Sequence, residues 1–241
     1  MSCHASEEAG GRSSVEAERG RVIAIDGPAG AGKSTLAREL ARRIGLAYVN
    51  TGAMYRVLAE RALAEGIDPD DGGRLGALAE MISFSLGSVG SNGRELWIDG
   101  EPPSPSLSSA DVEAIVSRVA RHHAVRVVMR REQRHLGAGG CVMEGRDIGT
   151  VVFPDADLKI FLSAEPAVRV RRRERERGER DDVAEGVAMR DTIDARTNPL
   201  IPADDSHVLD TTALSPDQVL ARAIELAKAA GFGSGASGGT S

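Results

Sequence analysis

One octapeptide, Gly27-Pro-Ala-Gly-Ala-Gly-Lys-Ser34, constrains the fold more than any other segment of the sequence. It matches the pattern G-x-x-x-x-G-K-S/T at every fixed position. The apolar run Val22–Asp26 precedes it, and it leads into Lys33–Ile44, where apolar residues recur at helical spacing. A strand that turns through glycines into a helix aims successive backbone N–H groups and the positive end of the helix at one point. The octapeptide therefore predicts an α/β chain with a site for phosphate groups.

Two side chains of this loop have predicted contacts with a nucleoside triphosphate. Lys33 would reach the β- and γ-phosphates, and the Ser34 hydroxyl would bind Mg²⁺. A glycine-rich turn without a ligand is the alternative, and both the preceding strand and the Gly-Lys-Ser ending argue against it. The loop alone leaves the reaction open, because kinases, GTPases and mechanical ATPases share it.

Elsewhere, short apolar runs alternate with longer segments of helical periodicity, which is typical of βαβ units and a parallel sheet. The five predicted strands are Val22–Asp26, Ala47–Val49, Cys141–Glu144, Leu158–Leu162 and His207–Leu209. The predicted helices are Lys33–Ile44, Ala53–Ala64, Ser109–Leu136 with room for a break midway, Pro166–Arg177, Val183–Ala195 and Pro216–Ala229. Two further runs, Ile82–Leu86 and Glu95–Asp99, predict a short antiparallel pair in a small insertion on the main sheet.

The two ends of the chain differ in composition from its middle. Residues 1–20 are small and polar, and residues 231–241 are uncharged and rich in glycine and serine, so we predict two disordered tails around one folded domain at 21–230. With 30 basic and 36 acidic residues the net charge is −6, which excludes a surface that grips nucleic acid all round.

Cysteine usage and hydropathy limit the compartment. The only two cysteines, Cys3 and Cys141, cannot build a disulfide framework and fit a reducing compartment. No apolar stretch approaches the roughly 18 residues of a membrane span, and the N-terminus lacks the basic start and apolar centre of a signal peptide. We therefore expect a cytoplasmic protein with no membrane contact.

Charged residues follow two of the predicted strands. Arg56 lies on the first turns of the helix after the second strand. Glu144 ends the third strand, and Arg146 and Asp147 follow it between two glycines. The carboxyl ends of parallel strands share one edge of a sheet, so these side chains should lie beside the phosphate loop. Arginine there could hold a second phosphate; for Arg56, pairing with a surface glutamate is the alternative.

The segment Arg169–Asp182 contains seven arginines and five acidic residues, with Gly178 interrupting it. Further positive charge follows at Arg190 and Arg196. A solvated helix with charge pairs at four-residue spacing is one interpretation. The other is a mobile arginine-rich lid, at about 170–196, that closes over the transferring phosphoryl group.

Several segments together resemble one family. These are IDGPAGAGKST, VNTGAMYR, EGRDIGTVVFPDADLKIFL, the R-D-x-x-D of Arg190–Asp194, and VLDTT. In this order, from about Val22 to Ala229, they are similar to bacterial cytidylate kinases, which are nucleoside monophosphate (NMP) kinases. The resemblance implies a P-loop three-layer sandwich with a five-stranded parallel sheet, an NMP-binding insertion at about 74–108, the lid, and transfer of the γ-phosphoryl group of Mg-ATP to CMP or dCMP.

The resemblance also implies roles for individual residues. ATP would be held by Gly27, Pro28, Ala29, Gly30, Ala31, Gly32, Lys33, Ser34 and Thr35. Thr51 would lie near the acceptor. The acceptor would meet Arg56 and Arg146 at its phosphate, Ser117, Arg126 and Asp147 at the cytosine edge, and Arg190 and Asp194 at the ribose. The cations that act on the transferring group would be Lys33, Arg146, Arg190 and Arg196.

Arg196 departs from the family pattern, because it follows Arg190 by six residues where the family usually has seven. Two alternative functions stay open: a kinase for UMP, AMP or a non-nucleotide acceptor, and a nucleotide-dependent binding module without an acceptor. The charged rim favours an acceptor site. His122, His123 and His135 lack a zinc-binding pattern. We expect CMP, dCMP and ATP as the only partners, no nucleic acid, and a monomer.

Overall fold

The computed structural model describes residues 20–89, 93–177 and 200–233. The predicted helix Val183–Ala195, most of the predicted lid and nearly all of both predicted tails lie outside these ranges. The structure describes three residues of the predicted C-terminal tail, 231–233. Phe232 is buried and packs into the core, with the Arg21 guanidinium 3.9 Å from its ring centroid.

A single mixed sheet of seven strands runs through the described part of the chain. Its order is β3-β4-β2-β5-β1-β6-β7. The strands are β1 Gly20–Asp26, β2 Ala47–Asn50, β3 Phe84–Ser88, β4 Arg94–Ile98, β5 Gly139–Gly145, β6 Leu158–Ser163 and β7 His207–Asp210. All neighbours pair in parallel except β3 and β4, which form an antiparallel hairpin.

The prediction of a five-stranded sheet was wrong, although the five predicted strands are present and pair in parallel in the order β2-β5-β1-β6-β7. The predicted antiparallel pair extends the same sheet, because β4 pairs in parallel with β2 through Tyr48 and Glu95. Leu96 and Ile98 of β4 are buried in the common core. Burial of these two side chains explains why the hairpin lies beside β2.

Seven α-helices flank the sheet in the described ranges, together with a short 3-10 helix at Pro105–Ser108 and a π-helical turn at Ile148–Val152. The α-helices are α1 Lys33–Ile44, α2 Thr51–Ala64, α3 Gly72–Glu80, α4 Ala110–Ala120, α5 His123–Gly137, α6 Pro166–Arg177 and α7 Pro216–Ala229. The break in the predicted segment Ser109–Leu136 falls between α4 and α5. Ser109 caps α4 by accepting a hydrogen bond from Val112, and Ser215 forms a capping box at the start of α7.

The sheet separates two apolar layers, as the three-layer sandwich requires. In β1, Val22 and Ala24 face one layer while Ile23 and Ile25 face the other, and all four side chains are fully buried. The first layer is covered by α2, α3, α4 and α5, and the second by α1 and α7. This arrangement leaves the carboxyl ends of β1, β2 and β5 at one edge, where the charged residues lie.

Candidate active site

Close backbone approaches require two glycines of the loop between β1 and α1. A Cβ atom on Gly27 would lie 2.2 Å from the carbonyl oxygen of Leu162 in β6, and one on Gly30 would lie 2.8 Å from that of Arg169 in α6. Both glycines have positive φ, 145° and 75°. A loop with side chains at these positions could not pass so close to β6 and α6.

Lys33 begins α1, and its Nζ donates a 2.8 Å hydrogen bond to the carbonyl oxygen of Pro28. The first turn of α1 contains no acidic residue, so none of its own side chains offsets the positive helix end. Burial, with the nearby Arg146 guanidinium, lowers the pKa of Lys33 to about 7. An anion bound beside Lys33 would restore its charge, which makes this point of the loop suited to phosphate.

Asp26, the last residue of β1, joins the phosphate loop to the segment after β5. Its carboxylate accepts hydrogen bonds from the backbone N–H groups of Ile148 at 2.9 Å and Gly149 at 2.7 Å. Burial raises the pKa of Asp26 to about 6. The sequence analysis missed this role, and the only signal for it was a carboxylate at the end of an apolar strand.

A cavity of about 180 Å³ lies beside the phosphate loop at the carboxyl ends of β2 and β5. It is lined by Lys33 and Ser34 of the loop and by six predicted acceptor residues, Thr51, Arg56, Ser117, Arg126, Arg146 and Asp147. Five other polar side chains line the cavity and had no individual role in the prediction: Asn50, Tyr55, Glu113, Arg121 and Arg173. The predicted site residues Arg190, Asp194 and Arg196 lie outside the described residues.

Two of the predicted acceptor residues contact backbone groups around the cavity. The Thr51 side chain is buried and donates a 2.7 Å hydrogen bond to the carbonyl oxygen of Glu144, which ties α2 to β5. Arg146 donates from Nη1 to the carbonyl oxygen of Gly27 at 2.6 Å. The guanidinium of Arg146 therefore lies beside both the phosphate loop and this cavity. The hydrogen bond of Thr51 joins two elements of the fold.

Asp147 is held by two arginines of α5. Nη2 of Arg126 donates to Oδ2 of Asp147 at 2.9 Å, and Nη2 of Arg130 donates to the same oxygen at 3.0 Å. The sequence analysis expected Arg126 and Asp147 at one site and missed Arg130. Arg130 lies one helical turn after Arg126, and this spacing was the available signal.

The arginines of α6 reach the phosphate loop, as far as this helix is described. Arg169 is buried and donates to the carbonyl oxygens of Ala164 at 3.1 Å and Ala29 at 3.2 Å. Arg172 donates to Oγ1 and to the carbonyl oxygen of Thr211, at 2.9 and 2.6 Å. A second, larger cavity of about 850 Å³ lies between α1, α6 and the segment after β7, and it opens beside Gly32 and Thr35.

The remaining candidates carry no site chemistry. Among the described residues there is no cluster of three or more His, Cys, Asp or Glu side chains that could hold a metal ion. A ring nitrogen of His122 makes a 2.8 Å hydrogen bond with the carbonyl oxygen of Pro69, which is a packing role. Cys141 is buried in β5, and burial raises the pKa of its thiol to about 12.

Within the described ranges, every helix is too short or too polar to cross a bilayer.

A mixed sheet whose first strand leads through a glycine loop into a lysine-headed helix, with a charged cavity across the same edge, is typical of P-loop kinases. Comparison with known proteins refines this class. Residues 23–229 match the family model described as cytidylate kinase. The chain belongs to the cytidylate kinase family.

Curated relatives cover most of the chain. A cytidylate kinase of Exiguobacterium sp. strain AT1b is 46% identical over 221 residues, which cover 86% of this chain and 97% of the relative. A cytidylate kinase of Pelotomaculum thermopropionicum is 43% identical, with 82% and 92% covered. A bifunctional pantoate ligase/cytidylate kinase of Parasynechococcus marenigrum is 42% identical over 85% of this chain, and the match spans only 43% of that longer protein.

Proposed function

We propose that this chain transfers the γ-phosphoryl group of ATP to CMP and dCMP, forming ADP with CDP or dCDP. The observation that carries the proposal is that one cavity is lined both by Lys33 of the phosphate loop and by the Arg126–Asp147 pair. A donor phosphate on the loop would therefore face an acceptor whose base meets that pair. Membership of the cytidylate kinase family supports the same acceptor.

The hydrogen-bonding groups of cytosine match polar side chains that line the cavity. The exocyclic amine of cytosine is a donor and needs an acceptor such as the Asp147 carboxylate, while the ring nitrogen and carbonyl oxygen need donors. Arg126 and Ser117 line the same cavity as Asp147 and can supply these donors. Uracil presents a carbonyl oxygen in place of the amine, and that oxygen would be repelled by Asp147.

Arginines would hold the acceptor phosphate. Arg56 and Arg146 line the cavity, and the hydrogen bond from Arg146 to the Gly27 carbonyl oxygen keeps its guanidinium beside the loop. Phosphoryl transfer needs in-line positioning and neutralisation of charge more than it needs a base. Lys33 and Arg146 would neutralise charge on the transferring group; the same role for Arg190 and Arg196, and ribose binding by Arg190 and Asp194, stay predictions.

A magnesium ion fits the oxygen groups at this point. The Ser34 hydroxyl and the Glu144 carboxylate both line the cavity beside Lys33, and Mg²⁺ takes few protein ligands when phosphates and waters complete its shell. When bound, Mg²⁺ would supply positive charge that offsets the negative charge of the phosphates. Ser34 would hold it, while backbone N–H groups of the loop hold the phosphates.

The test is an assay of ADP release with CMP, dCMP, UMP, AMP and no acceptor. We expect turnover with CMP and dCMP well above that with UMP or AMP, and almost none without an acceptor. Lys33→Ala should lower kcat at least about a hundredfold, and Asp147→Ala should raise KM for CMP without changing KM for ATP. ATP turnover that is independent of any acceptor would indicate a nucleotide-dependent module instead, and a preference for another acceptor would indicate a different kinase.

A monomer, a cytoplasmic location and the absence of nucleic-acid partners stay predictions from the sequence. So do the NMP-binding insertion at about 74–108 and the lid at about 170–196. Sedimentation velocity with and without CMP and ATP tests the monomer.

A further inference from the structure

Two cations share one oxygen of Asp147, although the carboxylate carries a single negative charge. Both Arg126 and Arg130 donate from Nη2 to Oδ2, at 2.9 and 3.0 Å. The side chains are little exposed, at 14% for Asp147, 15% for Arg126 and 25% for Arg130. One arginine would be enough to pair the charge, so the second needs a separate explanation.

The two arginines differ in their position relative to the cavity of about 180 Å³ beside the phosphate loop. Arg126 lines it, whereas Arg130 is not among the described residues that do. Nε of Arg130 is buried and has no hydrogen-bond partner within the described ranges. A buried donor without an acceptor costs free energy. The position of Arg130 therefore gives Asp147 a second hydrogen bond but leaves the buried Nε of Arg130 without one.

We propose that Arg130 is a positioning residue that keeps Asp147 charge-paired and oriented while Arg126 turns its hydrogen bonds to the acceptor base. The inference rests on the proposed function, since it takes Asp147 as the group that meets the cytosine amine. Arg126 meets Asp147 through Nη2, and a turn of its guanidinium toward the base would weaken that bond. Without Arg130, the base would then compete for the one remaining cation that pairs with Asp147 among the described residues, and this would oppose binding.

The geometry also bears on the choice of acceptor. Both arginine bonds of Asp147 end on Oδ2, so the other oxygen, Oδ1, is the one that can accept from the cytosine amine. Rejection of uracil requires that Asp147 keep this orientation, because Oδ1 then faces the uracil carbonyl oxygen and two acceptors repel each other. Arg130 therefore contributes to discrimination between CMP and UMP without touching either nucleotide.

The test compares the unaltered chain with Arg130→Leu, Arg130→Lys and a matched control, Arg131→Leu. Arg131 is the next residue of α5, and its guanidinium pairs with Glu80 and Glu132 at the surface. For Arg130→Leu we expect KM and Kd for CMP to rise about tenfold or more, since one charged hydrogen bond is lost. We expect kcat within about threefold, KM for ATP unchanged, and a fall of the CMP/UMP ratio of kcat/KM by about tenfold.

The remaining two variants have different expected results, and the outcomes that would contradict the proposal can be told apart. Arg130→Lys should restore part of the CMP affinity, and Arg131→Leu should match the unaltered chain. The proposal is overturned if Arg130→Leu and Arg130→Lys leave both Kd for CMP and the CMP/UMP ratio unchanged, or if they weaken CMP, UMP and ATP alike, as a general packing defect would. If the unaltered chain does not prefer CMP, or if Asp147→Ala keeps its KM for CMP, the proposed function of Asp147 fails first.

Discussion

The phenol of Tyr48 in β2 donates a 2.6 Å hydrogen bond to Oε1 of Glu144 in β5, and neither residue is more than 4% exposed. The Ser34 hydroxyl lies near the same phenol oxygen. Burial and the Glu144 carboxylate raise the pKa of Tyr48 well above its usual value, so the phenol stays a neutral donor. The Tyr48 phenol thus lies next to both Ser34, the proposed magnesium ligand, and the buried Glu144 carboxylate.

Removal of this hydroxyl should destabilise the fold. In Tyr48→Phe, the Glu144 carboxylate stays buried and loses its donor, and we expect a loss of about 1–3 kcal/mol in the free energy of unfolding. The matched control is Tyr55→Phe, since the neutral side chain of Gln133 lies near the Tyr55 hydroxyl, and this substitution should cost less. Urea unfolding of both variants checks the difference; equal losses would show that the charge on Glu144 does not matter.

Two glycine substitutions in the phosphate loop should differ sharply. A Cβ at Gly27 meets the Leu162 backbone at 2.2 Å, whereas a Cβ at Gly32 has no heavy atom within 4 Å. Both have positive φ, so Gly32→Ala carries the conformational penalty alone, about 1 kcal/mol. Gly27→Ala adds a clash with backbone that cannot move aside, and we expect a loss of more than about 3 kcal/mol in total. Thermal or urea unfolding measures both; similar losses would contradict the close approach of β6.

Local sequence signals predicted the elements around the site well. The bounds of Lys33–Ile44, Pro166–Arg177 and Pro216–Ala229 are confirmed, because glycines or a proline mark helix ends within a few residues. Helix α3 was missed, since Gly72, Gly73 and Gly76 lower its helix propensity. Its stability comes from the Asp71 cap and from packing, with the Cβ position of Gly76 only 2.9 Å from Ala124.

Contacts between distant elements could not be read from the sequence. The link from Tyr48 to Glu144 depends on the register of β2 against β5, and the attachment of β4 to β2 depends on a single pair, Tyr48 and Glu95. Register follows from the packing of whole faces, which no single strand encodes. Motif residues such as Lys33 were therefore found, while their supports, Asp26 and Arg130, were not.

The lowered pKa of Lys33 predicts how stability changes with pH. Between about pH 7 and 10, the unfolded chain carries a proton on Lys33 that the folded chain has lost. The free energy of unfolding should therefore rise with pH in this window, by up to about 1.4 kcal/mol per pH unit from this group, while the cost of the buried charge is fully present below pH 7. Urea unfolding at pH 7, 8 and 9 should show this component, and Lys33→Met should lack it. The same slope in both chains would contradict the shift.

Binding of ATP should reverse that shift and draw a proton from solution. At pH 8 most Lys33 side chains of the free protein are neutral, because their pKa is about 7. Phosphate oxygens beside Nζ favour the charged form, so binding should take up nearly one proton at pH 8 and much less at pH 6. Titration calorimetry in buffers of different ionisation enthalpy counts these protons. Lys33→Arg is the control, since its guanidinium is charged throughout; uptake of the same size in that variant would assign the proton to another group.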